Sequence, residues 1–262
     1  MTIAPVFVSH GAPNLILHAS PTRTFLTELG ASQPKPKAII AVSAHFDADR
    51  PVVVSDPAPA MIYDFGGFER ELYSMQYPAP GEPKLAERVA MAIAAGGLPV
   101  AVAPKRGYDH GTWVPLKLAY PEADIPVVQV SVVPGATPAF HTAIGAALAP
   151  FAAEDVLILA SGSLTHNLRA VFGPRGLAPR DAEVVPWARA FADWVVERLE
   201  AGDVAALEDY EQAAPFGTRN HPTDEHFLPF FVALGAGGGK GTRIHAAFEH
   251  GALSLDAYRF AA

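Results

Sequence analysis

The chain has no cysteine, which removes disulfides, thiolate metal sites and cysteine nucleophiles together. Any metal must be bound through nitrogen and oxygen. Charge is sparse as well: 18% of residues are Asp, Glu, Lys or Arg, and a net charge of -8 leaves no basic footprint for nucleic acid or an anionic membrane. No run of about 18 uninterrupted apolar residues occurs, the length expected of a membrane-spanning helix. The opening MTIAPVFVSH lacks the basic stretch and apolar core of a secretory leader, so the expected compartment is the cytoplasm. Half of the residues are hydrophobic, which excludes global disorder.

What is present points to one large α/β unit. The 25 prolines and 22 glycines fall mostly between apolar runs, where they punctuate loops. Runs rich in Val and Ile at 3–8, 38–43, 52–54, 100–102, 127–132 and 156–160 read as buried strands. Helical stretches at 22–29, 84–95, 138–151 and 187–199 lie between or after them. This alternation predicts a single domain over 1–262, with a central mostly parallel or mixed sheet flanked by helices. The glycine-rich stretch 235–241 shows no phosphate-loop pattern and reads as a flexible connection.

The ten histidines are not scattered over this skeleton. His10 follows the first apolar run in VFVSHGAP, His45 the second in IIAVSAHFD, and His166 the last in VLILASGSLTHNL. All three sit just beyond the carboxyl ends of predicted strands, the edge where open α/β sheets bind ligands. His221, in RNHPTDEHF, precedes an expected helix containing Phe227, Leu228, Phe230 and Phe231. Neutral imidazoles suit zinc and iron, and three of them leave coordination positions open for catalysis. His226 is the rival to His221, but lies inside the expected helix and is read as structural. His110, in the loop phrase YDHGTW, is either a packing residue or a substrate contact. His18, His141, His245 and His250 are read as surface or packing residues. Asp47, Asp49, Asp56, Asp64, Asp109 and Asp224 are the available carboxylates, and none is singled out. No GxSxG surrounds Ser43 or Ser163, which argues against a serine hydrolase.

Taken together, SHGAP around His10, SAHF around His45, YDHGTW around His110, SGSLTHNL around His166 and NHPTDEHFLP around His221 resemble the LigB-like extradiol ring-cleavage dioxygenases, in particular the DOPA 4,5-dioxygenase branch. That resemblance runs in order from His10 to the end of the chain. It implies a catalytic domain with a mononuclear non-haem metal held by His10, His45 and His221. It also implies that His166 is the acid/base residue and a candidate fourth ligand, and that His110 positions substrate or oxygen.

The implied reaction inserts O2 into a catechol with extradiol opening of the ring, Fe(II) being the working metal and Zn(II) an expected occupant on isolation. A set of three neutral imidazoles also suits zinc, so a zinc-dependent hydrolase using the same histidines, or a metal-binding scaffold without turnover, stands as the alternative. The expected partners are a small catechol and O2, with a homodimer as an allowed assembly. Tyr63, Phe65, Phe68, Trp113 and Phe216 are available to line a pocket. Arg219 and Arg169 are candidates to pair with a substrate carboxylate.

Overall fold

Parallel strands that are buried on both faces must be apolar on both, and the alternation of side chains then divides them between two cores. A computed structural model describes residues 2–173 and 176–261 and shows this division. The order of elements is β1 (Val6–Ser9), α1 (Pro21–Leu29), β2 (Ala38–Asp47), β3 (Val52–Val54), α2 (Pro83–Ala95), β4 (Ala101–Ala103), α3 (His110–Ala119), β5 (Val127–Val132), α4 (Pro138–Ala152) and β6 (Val156–Gly162). Two longer helices, Pro186–Ala201 and Leu228–Ala236, and two strands, Gly241–His245 and Ala257–Phe260, complete the frame.

One eight-stranded sheet runs β4-β3-β5-β2-β6-β1, followed by Ala257–Phe260 and Gly241–His245. Strands β5, β2, β6 and β1 are mutually parallel, while β1 pairs antiparallel with Ala257–Phe260 and β5 antiparallel with β3. Phe7, Ile40, Val42, Val130 and Ile158 point into one core with α2, α4 and Leu228–Ala236. Their neighbours Val8, Ile39, Ala41, Val127 and Leu157 point into the other with α1 and α3.

Prolines in the first turn and polar caps fix where the helices begin. Ser20 accepts from the Arg23 amide ahead of Pro21, and Thr137 from the Phe140 amide ahead of Pro138. The expected strands and helices are therefore found within a few residues of their predicted bounds. Three elements of this frame were not foreseen. Helix α3 is buried on nearly every side and holds Pro115, so it shows no amphipathic period. The two terminal strands lie at the antiparallel side of the sheet, where the Gly241–His245 strand is half-exposed. Residues 235–241 are also more ordered than expected. Gly235 lies inside the helix Leu228–Ala236 against the backbone of Thr142, and Gly241 already belongs to a strand.

Candidate metal centre

The carboxyl ends of β1, β2 and β6 lie side by side, and each contributes differently. Strand β1 ends at Ser9, and the His10 amide donates to the Gly162 carbonyl at 3.0 Å, which carries His10 onto the end of β6. Strand β2 continues past its parallel partner through a bulge: Ser43 pairs with Ser131 but Asp47 with Val132, so residues 44–46 are displaced from the ladder. His45 sits in that bulge, a common device for aiming a side chain at a site. Beyond β6, Gly162 and Ser163 hold a third chain segment. The Ser163 amide donates to the His226 carbonyl at 2.8 Å, and Gly162 has no Cβ where that carbonyl passes.

His10, His45 and His226 are thereby brought together, with one nitrogen from each lying within 4.8 Å of the other two. The outward nitrogen of each ring is already engaged. Ser161 donates its hydroxyl to the Gly111 carbonyl, so its Oγ accepts from His10 Nδ1 at 3.0 Å. His226 Nδ1 donates to Glu225 Oε1 at 2.9 Å, and His45 Nδ1 lies 3.3 Å from Asp64 Oδ2. The bonds at His10 and His226 place the proton on Nδ1 and leave Nε2 as a bare lone pair, and the Asp64 carboxylate beside His45 Nδ1 favours the same tautomer there.

His10 Nε2 and His45 Nε2 are 3.1 Å apart, and with these tautomers neither has a hydrogen to offer the other. Two nitrogen ligands about 2.1 Å from one ion lie roughly 3.0–3.4 Å apart, so this donor set fits a divalent cation. Protonation is not an alternative at neutral pH. Burial, then the neighbouring imidazoles, pushes His10 and His226 well below the usual histidine value, and burial with His110 nearby brings His45 down to about 4.

Two further histidines flank the cluster. Asp109 caps α3 through the Thr112 amide and also accepts from Ser43 Oγ at 2.6 Å, which sets His110 at the first helical position. The His110 amide and Nδ1 both donate to Asp64, at 2.9 and 3.0 Å. Asp64 thus joins His45 and His110. Burial raises its pKa, but the bonds from His110 outweigh this and hold it at about 2. His166 stacks on His226, and its Nδ1 is 4.0 Å from Glu225, too far for a hydrogen bond. The groups His45–Asp64–His110 and His166–Glu225–His226 therefore surround one centre with its supporting carboxylates.

The structure sets His221, expected from sequence beside His10 and His45, apart from their cluster. Its Nε2 lies 2.8 Å from the Leu164 carbonyl, its ring stacks on Phe227, and Phe191 and Tyr210 close around it. Only His226 of this pair joins the cluster. The helix begins at Leu228 with Pro229 in its first turn, so His226 lies in the preceding turn rather than in the helix.

A cavity of about 800 Å³ opens over the cluster, lined by His10, His45, His110, His166 and His226 and walled in part by Phe65, Phe68 and Leu168. That is the size range of small-molecule sites. Tyr63 and Trp113 pack behind Phe65, and Phe216 is 52% exposed away from this wall. Arg219 stacks on Trp187, and neither it nor Arg169 lines the cavity, whereas Arg180 does. His18 and His250, read from sequence as ordinary, also line it. Sequence reasoning left Asp64 undistinguished and missed Ser161, Glu225 and Arg180, because each acts on a residue distant in sequence or lies in a loop without pattern. The run Ser161–Ser163, which lacks GxSxG spacing, supplies part of this support through the Ser161 hydroxyl and the Ser163 amide.

An α/β sheet with a histidine cluster at the carboxyl edge of its parallel strands defines a protein built around a metal-binding type of site. Residues 19–261 match the family described as the catalytic LigB subunit of aromatic ring-opening dioxygenase, and the chain belongs to that family of metal-dependent enzymes. It is 42% identical over 260 residues to a protein of Beta vulgaris named 4,5-DOPA dioxygenase extradiol, covering 97% of this chain and 95% of that one. A protein of Escherichia coli K12 with the same name is 36% identical over 242 residues, covering 90% and 85%. The crystal structure of an uncharacterized protein from Escherichia coli K12 superimposes with a TM-score of 0.82 at 32% identity, covering 98% of this chain and 99% of that one.

Proposed function

We propose that the chain opens the ring of a catechol by extradiol insertion of O2, with Fe(II) held by His10, His45 and His226. The observation that carries this reading is the convergence of bare imidazole nitrogens, each oriented from behind by Ser161, Asp64 or Glu225. The names of the relatives, and the volume of the cavity over the cluster, support the catechol. Iron held by these residues would supply redox-active Lewis-acid chemistry.

The protein's own groups do the rest. Burial, opposed in part by Glu225, lowers the pKa of His166 to about 4, so at neutral pH it is an unprotonated acceptor on the cavity wall. In that place it takes a proton from a catechol hydroxyl and returns one to the oxygen exposed as the ring opens. His110 has Nδ1 tied to Asp64, which leaves Nε2 to orient a substrate or oxygen atom. Phe65 and Phe68 give the ring an apolar wall and reduce the water around it.

Zn(II) is the expected occupant of isolated protein, because three neutral imidazoles suit zinc and no carboxylate ligand completes the two-histidine, one-carboxylate set typical of Fe(II). We assign the working protein to the cytoplasm; among the described residues no helix is long and apolar enough to cross a membrane. The test is anaerobic loading of metal-free protein with Fe(II), followed by an oxygen electrode and a visible spectrum with a panel of catechols. Oxygen uptake with a new yellow absorbance is expected. No uptake despite bound iron, or full activity with zinc after removal of iron, rejects the reading.

A further inference from the structure

Charge in the cavity is one-sided. Among the described residues its wall holds no Asp, Glu or Lys, and Arg180 is the one permanently charged side chain on it. The Arg180 side chain is 33% exposed, and its Nε lies 3.5 Å from Oε1 of the nearly buried Glu249. This contact engages one corner of the guanidinium. Among the described residues the terminal nitrogens donate no hydrogen bond, so their edge is free for a ligand.

The segment carrying Arg180 is fixed in place. The His250 amide donates to the Arg180 carbonyl at 2.9 Å, His250 Nδ1 to the Ala178 carbonyl at 2.6 Å, and the Val185 amide to the Gly251 carbonyl at 2.9 Å. His250 itself takes a left-handed φ of 55° beside Gly251 at 74°, a strained conformation for a non-glycine residue that this bonding holds. A guanidinium anchored in this way loses little freedom when it meets a planar anion.

We infer that Arg180 recognises the side chain of the substrate, pairing through its free edge with a carboxylate while the ring reaches the histidine cluster. Arg180 is then the residue that distinguishes a catechol with an anionic side chain from a neutral one. Phe65, Phe68, Leu253 and Leu255 supply apolar wall to the same cavity. This assignment takes the role that sequence suggested for Arg219 or Arg169, and it rests on the ring-opening reading.

Two probes separate the assignment from that reading. 3-Phenylpropionate carries the carboxylate without catechol oxygens, so its binding to the metal-loaded protein, measured by calorimetry, reads Arg180 apart from turnover. Arg180→Met is expected to weaken that binding about 10- to 100-fold, the scale of a charged hydrogen-bonded pair. The ratio of kcat/KM for 3-(3,4-dihydroxyphenyl)propionate to that for 4-methylcatechol should fall by a similar factor, chiefly through KM. Arg180→Lys should recover part of both losses. Because Arg180→Met strands the Glu249 carboxylate, the double variant Arg180→Met with Glu249→Gln repeats the measurement in a neutral pair. Equal binding by wild type and both variants, or no binding by wild type, overturns the assignment. If neither catechol turns over but the binding difference stands, Arg180 is a carboxylate site and the ring-opening reading falls instead.

Discussion

The ring of His166 lies face to face with that of His226, centroids 3.4 Å apart and planes inclined by 12°. His226 is fixed from behind by Glu225 and through its carbonyl by Ser163, so the stack positions His166 against a ring that is already held. His166→Ala should therefore keep the bound metal and lose turnover by about 10²- to 10⁴-fold, the scale of a general acid/base. Metal analysis beside kcat checks this. Loss of metal in His166→Ala would make it a ligand.

The pair His221 and His226 should separate cleanly. His226→Ala removes one of the converging nitrogens and is expected to abolish stoichiometric metal, read by equilibrium dialysis with Zn(II). His221→Ala should keep the metal but destabilise the fold by about 2–4 kcal/mol, since it opens a void among Phe191, Tyr210 and Phe227 and leaves the Leu164 carbonyl without its donor. The reverse outcome would restore His221 as the ligand.

How much of this was legible follows from the kind of signal each residue carries. His10, His45 and His166 could be placed together because β1, β2 and β6 are apolar runs and the residues just beyond such runs share one edge. His226 could not, because choosing between it and His221 depended on where a helix starts, and Pro229, not Pro222, lies in its first turn. Helix α3 was invisible for the opposite reason: it is buried on nearly all sides, so no polar stripe marks its period. Asp64 touches His45 and His110 from 19 and 46 residues away in sequence, and no local pattern announces such a bond.

Asp64 gives a prediction of its own. Its Oδ2 accepts from His110 Nδ1 and lies 3.3 Å from His45 Nδ1, so its charge favours the Nδ1 proton on both rings. Asp64→Asn keeps the shape but presents an amide in place of a full negative charge. Metal affinity is expected to fall about 10- to 100-fold, the usual effect of losing a carboxylate behind a ligand histidine. A chelator competition titration reads this directly. Unchanged affinity would mean that the ring of His45 is held by packing alone.

Gly111 tests how tightly the cluster is built. A Cβ there would lie 2.5 Å from Ser43 Oγ, 3.0 Å from His45 Cδ2 and 3.2 Å from His10 Cε1. Gly111→Ala must therefore push Ser43 aside and crowd His45 and His10. Weaker metal binding with little change in the melting temperature of the metal-free protein is expected. Wild-type affinity in this variant would show that the rings have room to move.

The metal-free protein should lose stability as pH falls from about 6.5. Burial pushes His221 down to about 3, with the bond to Leu164 opposing, while in the unfolded chain it titrates near ~6.5. Between those values the unfolded state binds a proton that the folded state refuses, so stability rises with pH across the window and is fully present above it. One such group contributes a slope of about 1.4 kcal/mol per pH unit. His10, His45, His166 and His226 are shifted in the same direction and steepen it. Urea unfolding of metal-free protein between pH 7.5 and 5 measures the slope, and His221→Phe isolates one contribution, because it keeps an aromatic ring against Phe227 but removes the titrating nitrogen. The variant should be less stable at pH 7.5, having lost the donor to Leu164, yet decline less steeply toward pH 5. Parallel slopes for the two proteins would show that His221 takes up its proton at the same pH in the folded state as in the unfolded chain.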